Sequence, residues 1–599
     1  MAKKVARKDL LKYLSMSLKL QWQLTHWRTV FLPLIDISTS LISIGRSYMY
    51  AQIINLITAY ISGSVPSVFP QFWQLLIITA LAGVAEPLIA NFQSYQNNKT
   101  TIQARNQLDR IIARRCAELD AAHFEDPEFQ DIIERVERLD VGWVLRNLSS
   151  ISSDIVTMLV ATLAVLKLNW ILFVLAIVSA IPRLISSVYS ASRYREINVK
   201  LSPKRRLNWY LRDSLITWTH IREIRAAGAI SGFLKRLIGN QDEMADIELK
   251  AQRHFSRIEA VTDTFGVATS VFTRVWLFMR IITTRGAFSI GDYTFYDSLV
   301  SRLENSSSSL VRNFRSIYEE LINVEDYFIF MNADTKLTKP KNPMLIARGD
   351  HIPSIAFENV SFRYPGTKKH ILKDVSFTLN PAEKMALIGV NGAGKTTLIK
   401  LLLRHYDPDS GRILIDGVDL RKIDLDSWYH KLAIIQQDFN HYPLTVAQNV
   451  TFQLQGPIDK RKLKQAISDA QADFVYELPK KERTVLTRFF DDSVELSGGQ
   501  WQKIALARAF YRQANILVLD EPTSAIDARA ESEIFHRLWH MQRDKGAIVI
   551  SHRFSTVREA DQIIVLDAGR VSEHGTHESL MKQKGVYHEL FTKQAKSYQ

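Results

Sequence analysis

The sequence predicts an all-α six-helix transmembrane domain followed by an α/β P-loop domain. Three observations predict it. The 599 residues exceed the roughly 250–300 at which a single hydrophobic core stops growing, so at least two domains are needed. Long apolar stretches crowd the first half, and a strand-like run, a glycine-rich loop and a helix-like run follow one another at 385–402. Between the halves, Thr338-Lys339-Pro340-Lys341-Asn342-Pro343 carries two prolines that break any preceding helix. The expected boundaries are 1–335 for the membrane domain, 336–352 for a linker and 353–599 for the α/β domain.

Composition narrows the function classes. With 46% hydrophobic and 23% charged residues, disorder, collagen and low-complexity classes are excluded. The single cysteine, Cys116, excludes a disulfide framework and a multi-cysteine metal site, and reads as a buried structural residue. A net charge of +14 would suit nucleic acid, anionic lipid or a phosphate-rich ligand. Neither half is extreme, however. The excess fits basic loops beside a membrane, and no nucleic-acid partner is expected.

A membrane helix needs about 20 mostly apolar residues. Residues 28–61, 73–90, 155–166, 168–182 and 261–284 reach that length with their flanks, although Asp36, Arg46, Asp263, Arg274 and Arg280 interrupt some of them. The third and fourth are separated only by Lys167, which predicts a tight hairpin of two spans. The sixth span, 289–310, carries Asp292, Asp297, Arg302, Glu304 and Ser306-Ser307-Ser308-Ser309, so it reads as a cavity-lining helix. Together with Asp36, Arg46, Glu86, Asp154, Arg183, Asp263 and Arg274, these charges either form ion pairs or line a cavity; their mixed signs select no cargo. Residues 97–147 hold Lys99, Arg105, Arg110, Arg114, Arg115, Arg135, Arg138 and Arg146, and 192–257 are also rich in Lys and Arg, whereas 62–71 have no basic residue. The positive-inside bias therefore places the N-terminus and the second domain in the cytoplasm, at a cytoplasmic (inner or plasma) membrane crossed several times. The basic start lacks a small-residue cleavage site and suits a helix lying on the bilayer rather than a signal peptide.

The second half carries phosphate chemistry. After Met385-Ala386-Leu387-Ile388 comes Gly389-Val390-Asn391-Gly392-Ala393-Gly394-Lys395-Thr396, and then the helix-like run from Thr397. This is the strand–loop–helix context of a G-x-x-x-x-G-K-[ST] phosphate loop. Its glycines let backbone N–H groups wrap the phosphates of ATP, Lys395 reaches the β- and γ-phosphates, and the Thr396 hydroxyl can ligate Mg²⁺. Ile516-Leu517-Val518-Leu519-Asp520-Glu521 is a buried strand ending in two carboxylates. Asp520 is placed to hold Mg²⁺ and Glu521 to act as general base on the attacking water. Leu496-Ser497-Gly498-Gly499-Gln500 opens another helix and forms a second anion-binding N-terminus. A single ATP does not need both elements within one chain, which points to two chains sandwiching it.

These motifs resemble the ATP-binding cassette (ABC) exporters that carry six membrane helices and one nucleotide-binding domain per chain, and the resemblance spans nearly the whole sequence. It implies an ATP hydrolase coupled to transport across the membrane. It also implies that Tyr364 stacks on adenine, that Gln437, beside Gln436, senses Mg²⁺ and the γ-phosphate, that Asp527 lies in the loop Ser524-Ala525-Ile526-Asp527, and that His552 contacts the γ-phosphate. The segments 123–129 and 214–225 resemble the family's coupling helices; in the first, aromatics are expected to insert into the nucleotide-binding domain. One departure stands out: Phe489-Phe490-Asp491-Asp492-Ser493 replaces the usual Gly-Glu-Arg-Gly turn.

The expected mechanism is a homodimer with two composite ATP sites that exports an amphiphilic small molecule, lipid or peptide, the cargo itself being unknown. A heterodimeric half-transporter, an importer, an ATP-gated channel or regulator, and a soluble ATPase are the competing readings. No protease domain precedes the first span, so leader-peptide processing is not expected.

Overall fold

A computed structural model describes residues 7–63, 69–137, 139–168, 170–284, 288–337, 340–347, 349–437, 439–521, 544–551 and 557–596. The chain forms two compact units: Met1–Glu118 with Pro127–Ala333, and Leu119–Asp126 with Asp334–Gln599.

The first unit is helical. After α1 (Arg7–Thr25) come α2 (Arg28–Ile61) and α3 (Phe69–Glu118); the short α4 (Ala121–Phe124) belongs to the second unit. Then follow α5 (Pro127–Glu137), α6 (Val141–Leu168), α7 (Trp170–Ile216), α8 (Trp218–Ala226), α9 (Ile230–Thr283) and α10 (Ile290–Met331). Among the described residues, four helices are long and apolar enough to cross a membrane: α2, α3, α6 from Arg146, and α9. Their outward faces carry exposed Leu81, Leu88, Leu159, Leu163, Val267 and Phe278, the surface a lipid-facing helix needs. The inner faces meet in a core of Ile44, Ala161, Val165, Leu277, Leu299, Val300 and Leu303.

Helix α10 fails a hydropathy test because its polar residues bond to neighbouring helices. Ser289 caps it in a reciprocal box with Asp292. Asp297 accepts from Arg274 of α9 at 2.8 Å. The Arg302 guanidinium donates to Ser43 Oγ at 2.8 Å and to Ser47 Oγ at 3.2 Å on α2. Ser308 accepts from Arg183 of α7, and Asn313 donates to Ser150 of α6. Elsewhere Arg46 pairs with Glu86 at 2.9 Å and Arg183 with Asp263 at 3.2 Å. Most of the charges singled out in the spans thus link one helix to another, the arrangement in which a low-dielectric surround tolerates them.

The second unit is α/β. Its antiparallel sheet has the order β2 (Leu372–Leu379), β1 (Ile355–Phe362), β4 (Ser410–Ile415), β5 (Val418–Asp419). A larger sheet runs β12 (Arg570–Gly575), β11 (Gln562–Asp567), β3 (Lys384–Gly389), β10 (Gly546–Ile550), β9 (Ile516–Asp520), β6 (Leu432–Ile435). All its pairings are parallel except β11 with β12, and β7 (Val485–Leu486) and β8 (Ser493–Val494) pair apart from it. Buried on both faces, its central strands read as unbroken apolar runs. Helix α11 (Lys395–Leu402) follows β3; α12 (Leu425–His430), α13 (Val446–Thr451), α14 (Lys460–Asp469) and α15 (Gly498–Arg512) follow in turn, and α16 (His577–Gln583) and α17 (Val586–Lys596) come last among the described residues.

At the start of α10, Gly291 donates its N–H to Asn55 Oδ1, and an added Cβ would collide with the Ala51 carbonyl of α2. Gly291→Val should destabilise the helical unit by about 1–3 kcal/mol through overpacking; a thermal-unfolding midpoint in detergent that falls by a few degrees checks this.

Candidate active site

The parallel register assembles the site. Leu387 of β3 pairs with Ile550 of β10, which pairs with Asp520 of β9, so these three residues form one row across the sheet. The loop after β3 and Glu521 after β9 therefore emerge at the same carboxyl edge, where open parallel sheets bind ligands. Gly389 sits so close to β11 that a Cβ would collide with the Leu566 carbonyl. Gly394, at φ 108°, turns the loop into α11 and would press a Cβ to 2.6 Å from Leu372 Cδ2. Val390, Asn391, Gly392 and Thr396 are exposed at the loop's mouth, and Ala393, Gly394, Lys395 and Thr397 are buried beneath it.

Lys395 folds back over the loop, its Nζ donating to the Gly389 carbonyl at 2.7 Å and to that of Val390 at 3.3 Å. Burial lowers its pKa from the ordinary lysine value, and the nearby Glu521 and Asp520 charges oppose that shift. Asp520 is buried at the end of β9. Glu521 takes a left-handed conformation, φ 47°, anchored by its N–H to the Ile550 carbonyl at 3.0 Å. Gln437, just beyond β6, donates from Nε2 to Glu521 Oε2 at 3.4 Å. Lys395, Asp520, Glu521 and Gln437 are thus brought together. Thr396, Asp520 and Gln437 supply the hard oxygen donors that suit Mg²⁺, which commonly takes few protein ligands beside phosphates.

The second anion-binding element lies in a different core. Ser497 caps α15 in a reciprocal box with Gln500, leaving Ser497 and Gly498 exposed at a helix N-terminus. Leu496 and Trp501 pack with α13 and α14 in one apolar cluster, and Trp501 stacks on His441 at 4.3 Å. The phosphate loop's Ala393, Leu398 and Ile399 belong to another cluster, with the antiparallel sheet. Asp527, with its loop 524–527, and His552 lie outside the described residues.

The departure at 489–493, just before residues 496–500, still forms a turn. Asp492 takes the left-handed conformation, φ 61°, that a glycine would otherwise supply, and the Ser493 hydroxyl closes the turn onto the Thr487 carbonyl at 2.7 Å. Phe489 and Phe490 are left on the surface, 85% and 61% exposed.

Tyr364 sits beside α11, its hydroxyl 3.2 Å from Thr397 Oγ1. Next to it lies the segment Leu119–Asp126, where the expected insertion takes another form. Ala122 and His123, rather than the exposed Phe124, are buried, with Ala122 in the α11 core. Phe129 packs within the first unit, 6.0 Å from Phe330. The anchor is Glu125, which accepts from Lys400 Nζ at 2.8 Å and from the Tyr406 hydroxyl. Burial would raise its pKa, but these hydrogen bonds and the Lys400 charge outweigh that and hold the carboxyl below the usual range. No sequence signal pointed to Glu125, Lys400 or Tyr406, because 275 residues separate the first two.

A phosphate loop and paired carboxylates at a parallel-sheet edge, carried on a chain with several membrane-length helices, define an ATP-driven multi-pass membrane transporter. Residues 372–524 match the family model described as ABC transporter. The chain is 30% identical to the subtilin transport ATP-binding protein SpaT of Bacillus subtilis, over 94% of this chain and 91% of that protein. It is 33% identical to an ATP-dependent lipid A-core flippase of Methylobacillus flagellatus, over 57% of this chain and 58% of that protein. Its fold matches a bacterial Atm1-family ABC exporter solved with ATP bound, with a TM-score of 0.80, 23% identity and coverage of 98% of this chain and 99% of that one. The chain belongs to the ABC transporter family, as an exporter that couples ATP hydrolysis to transport.

Gly394→Val adds a β-branched side chain at a left-handed position that is already crowded. ATP binding measured by titration should weaken at least about tenfold, the equivalent of about 1.4 kcal/mol.

Proposed function

We propose that two copies of this chain export an amphiphilic peptide, each ATP held between Lys395 of one copy and Ser497 and Gly499 of the other. The observation that carries this reading is the separation of the two phosphate-binding elements into different apolar cores of one chain. The phosphate loop, 389–397, wraps the phosphates of one nucleotide, Tyr364 stacks on its base, and a second copy offers the N-terminus of α15, residues 496–500, to the same phosphates. Sequence position adds Asp527 and His552 to this site. Glu521, held by the Ile550 carbonyl and touched by Gln437, takes the proton from the attacking water. Thr396, Asp520 and Gln437 hold Mg²⁺, which when bound neutralises phosphate charge.

The peptide class follows from SpaT, named for subtilin transport and matched over nearly its whole length. The flippase match spans little more than half of that protein, which makes lipid the second reading. The basic segments flanking the spans support a cytoplasmic N-terminus and ATPase unit at the cell's inner or plasma membrane. Apart from Leu119–Asp126, which groups with the second unit, residues 1–335 serve as the membrane part, 336–352 as the linker and 353–599 as the ATPase.

Glu521→Gln should lower ATP turnover by about 10²–10⁴-fold while ATP still binds; turnover at the wild-type rate would overturn the assignment. The native mass of the purified transporter distinguishes two identical copies from an unlike pair. ATPase stimulation by amphiphilic peptides but not by lipids supports the cargo class, and the reverse pattern selects lipid.

A further inference from the structure

The contacts around Tyr364 form a continuous path that the nucleotide chemistry alone does not require. On one side of the ring lies the Lys400 ammonium, 5.4 Å from its centroid. On another lies Tyr406, edge to face at 5.5 Å and 89°. Both are fixed at their outer ends by the same carboxylate, Glu125. Ala122, Tyr364, His405 and Tyr406 wall a single cavity of about 480 Å³. The segment that supplies Glu125 and Ala122 is held further by Asp120, whose carboxylate accepts the Leu337 N–H at 3.0 Å, and by Asp126, paired with Lys336 at 3.2 Å. At its two ends the segment is covalently continuous with α3 and α5.

We propose that Glu125 is a positioning residue for nucleotide binding: by holding Lys400 and Tyr406 it sets the Tyr364 ring on which the base stacks, so that the base and the segment Leu119–Asp126 sense one another. This rests on the reading of Tyr364 as the base-stacking residue. An aromatic ring recognises a base only when its plane is presented correctly; the Tyr364 hydroxyl bond to Thr397 fixes one end of the ring and Phe362 meets it edge to face at 5.2 Å and 77°, which leaves the side facing Lys400 and Tyr406 to be set by those two side chains. The ammonium and the edge-on phenol supply the missing constraint, because each prefers a defined approach to an aromatic ring. Without Glu125 both side chains lose their outer anchor and the ring loses its aim. The reverse also holds. A base that settles on Tyr364 restrains Lys400 and Tyr406, and through them the carboxylate of a segment built into the path between α3 and α5.

Lys400 lies on α11, which also carries Lys395, so a merely structural role for Glu125 would disturb phosphate binding as well. Inorganic tripolyphosphate separates the two possibilities, since it engages the loop but has no base. The full-length transporter in detergent is assayed for the KM and kcat of ATP hydrolysis and for competitive inhibition by tripolyphosphate. The variants are Glu125→Ala, Glu125→Asp, Tyr364→Ala and the double variant Glu125→Ala with Tyr364→Ala. Base stacking on one aromatic ring is worth about 5- to 150-fold in affinity, so Tyr364→Ala should raise KM about tenfold. Glu125→Ala should raise KM about three- to fivefold, part of that stacking effect, with kcat within about twofold and tripolyphosphate inhibition unchanged. Glu125→Asp should recover part of the loss. In the Tyr364→Ala background, removing Glu125 should add little, because the two act on one interaction.

If Tyr364→Ala leaves KM unchanged, the stacking assignment is wrong and the proposal falls with it. If Tyr364→Ala acts and Glu125→Ala does not, or if their effects multiply, the stacking assignment stands and the positioning role is overturned. If Glu125→Ala weakens tripolyphosphate as much as ATP, Glu125 supports α11 and not the ring. Should Glu125→Ala fail to accumulate in membranes, Glu125→Gln carries the test: an ATP KM raised above wild type with tripolyphosphate inhibition unchanged supports the proposal, and a wild-type KM overturns it.

Discussion

The active site depends on one constraint, the register of parallel strands in the larger sheet. Parallel pairing fixes which residues stand abreast, and here it sets Leu387, Ile550 and Asp520 in one row. Asp520 stands in that row, and the first glycine of the phosphate loop and Glu521 lie one or two positions beyond it. A slip of one residue in any of the three strands would send their side chains to opposite faces. The unbroken apolar runs of β3, β9 and β10 resist such a slip because both faces are covered. The close approach of Gly389 to β11 adds a further lock, since only a residue without Cβ fits at that register.

The helical unit solves a different problem. In a membrane, association between helices gains little from hydrophobic burial, because lipid tails are as apolar as leucine, so packing and interhelical polar contacts carry it. The pairs Arg46–Glu86, Arg183–Asp263 and Arg274–Asp297 each join two helices, and Arg302 joins α10 to α2 through serine hydroxyls. Each contact is individually modest, on the order of 1 kcal/mol. Spread along several helix pairs, they give each interface a preferred partner and depth. The price of that specificity is a sixth long helix too polar for its hydropathy to reveal.

Much of this architecture was legible in the sequence, for reasons that can be stated residue by residue. The phosphate loop and the strand ending in Asp520 and Glu521 announce themselves because their chemistry needs consecutive residues in fixed order. The proline run at 338–343 marked a change of character along the chain, and the apolar stretches marked membrane helices. The sequence could not say that Ala122 and Glu125 would be the gripping residues of their segment while Phe129 packed elsewhere; aromatic character suggested insertion, but burial of a small residue and a charge-assisted anchor decided it. Nor could it say that Asp492 would take the place of a turn glycine before residues 496–500. Such facts depend on partners hundreds of residues away or on one backbone angle, and neither leaves a local pattern.

The grouping of Leu119–Asp126 with Asp334–Gln599 has a consequence for how the protein is made. The ATPase unit is not a continuous stretch of chain. One of its pieces, with Ala122 in its core and Glu125 bonded to α11, leaves the ribosome long before the rest of that unit exists. The remainder, synthesised alone, would expose the surface that Ala122 and His123 cover and would leave Lys400 and Tyr406 without their acceptor. Completion of the ATPase therefore waits on a segment strung between two helices of the membrane unit. A chain whose early helices went astray would carry an unfinished ATPase, its core short of Ala122 and its Lys400 and Tyr406 short of Glu125.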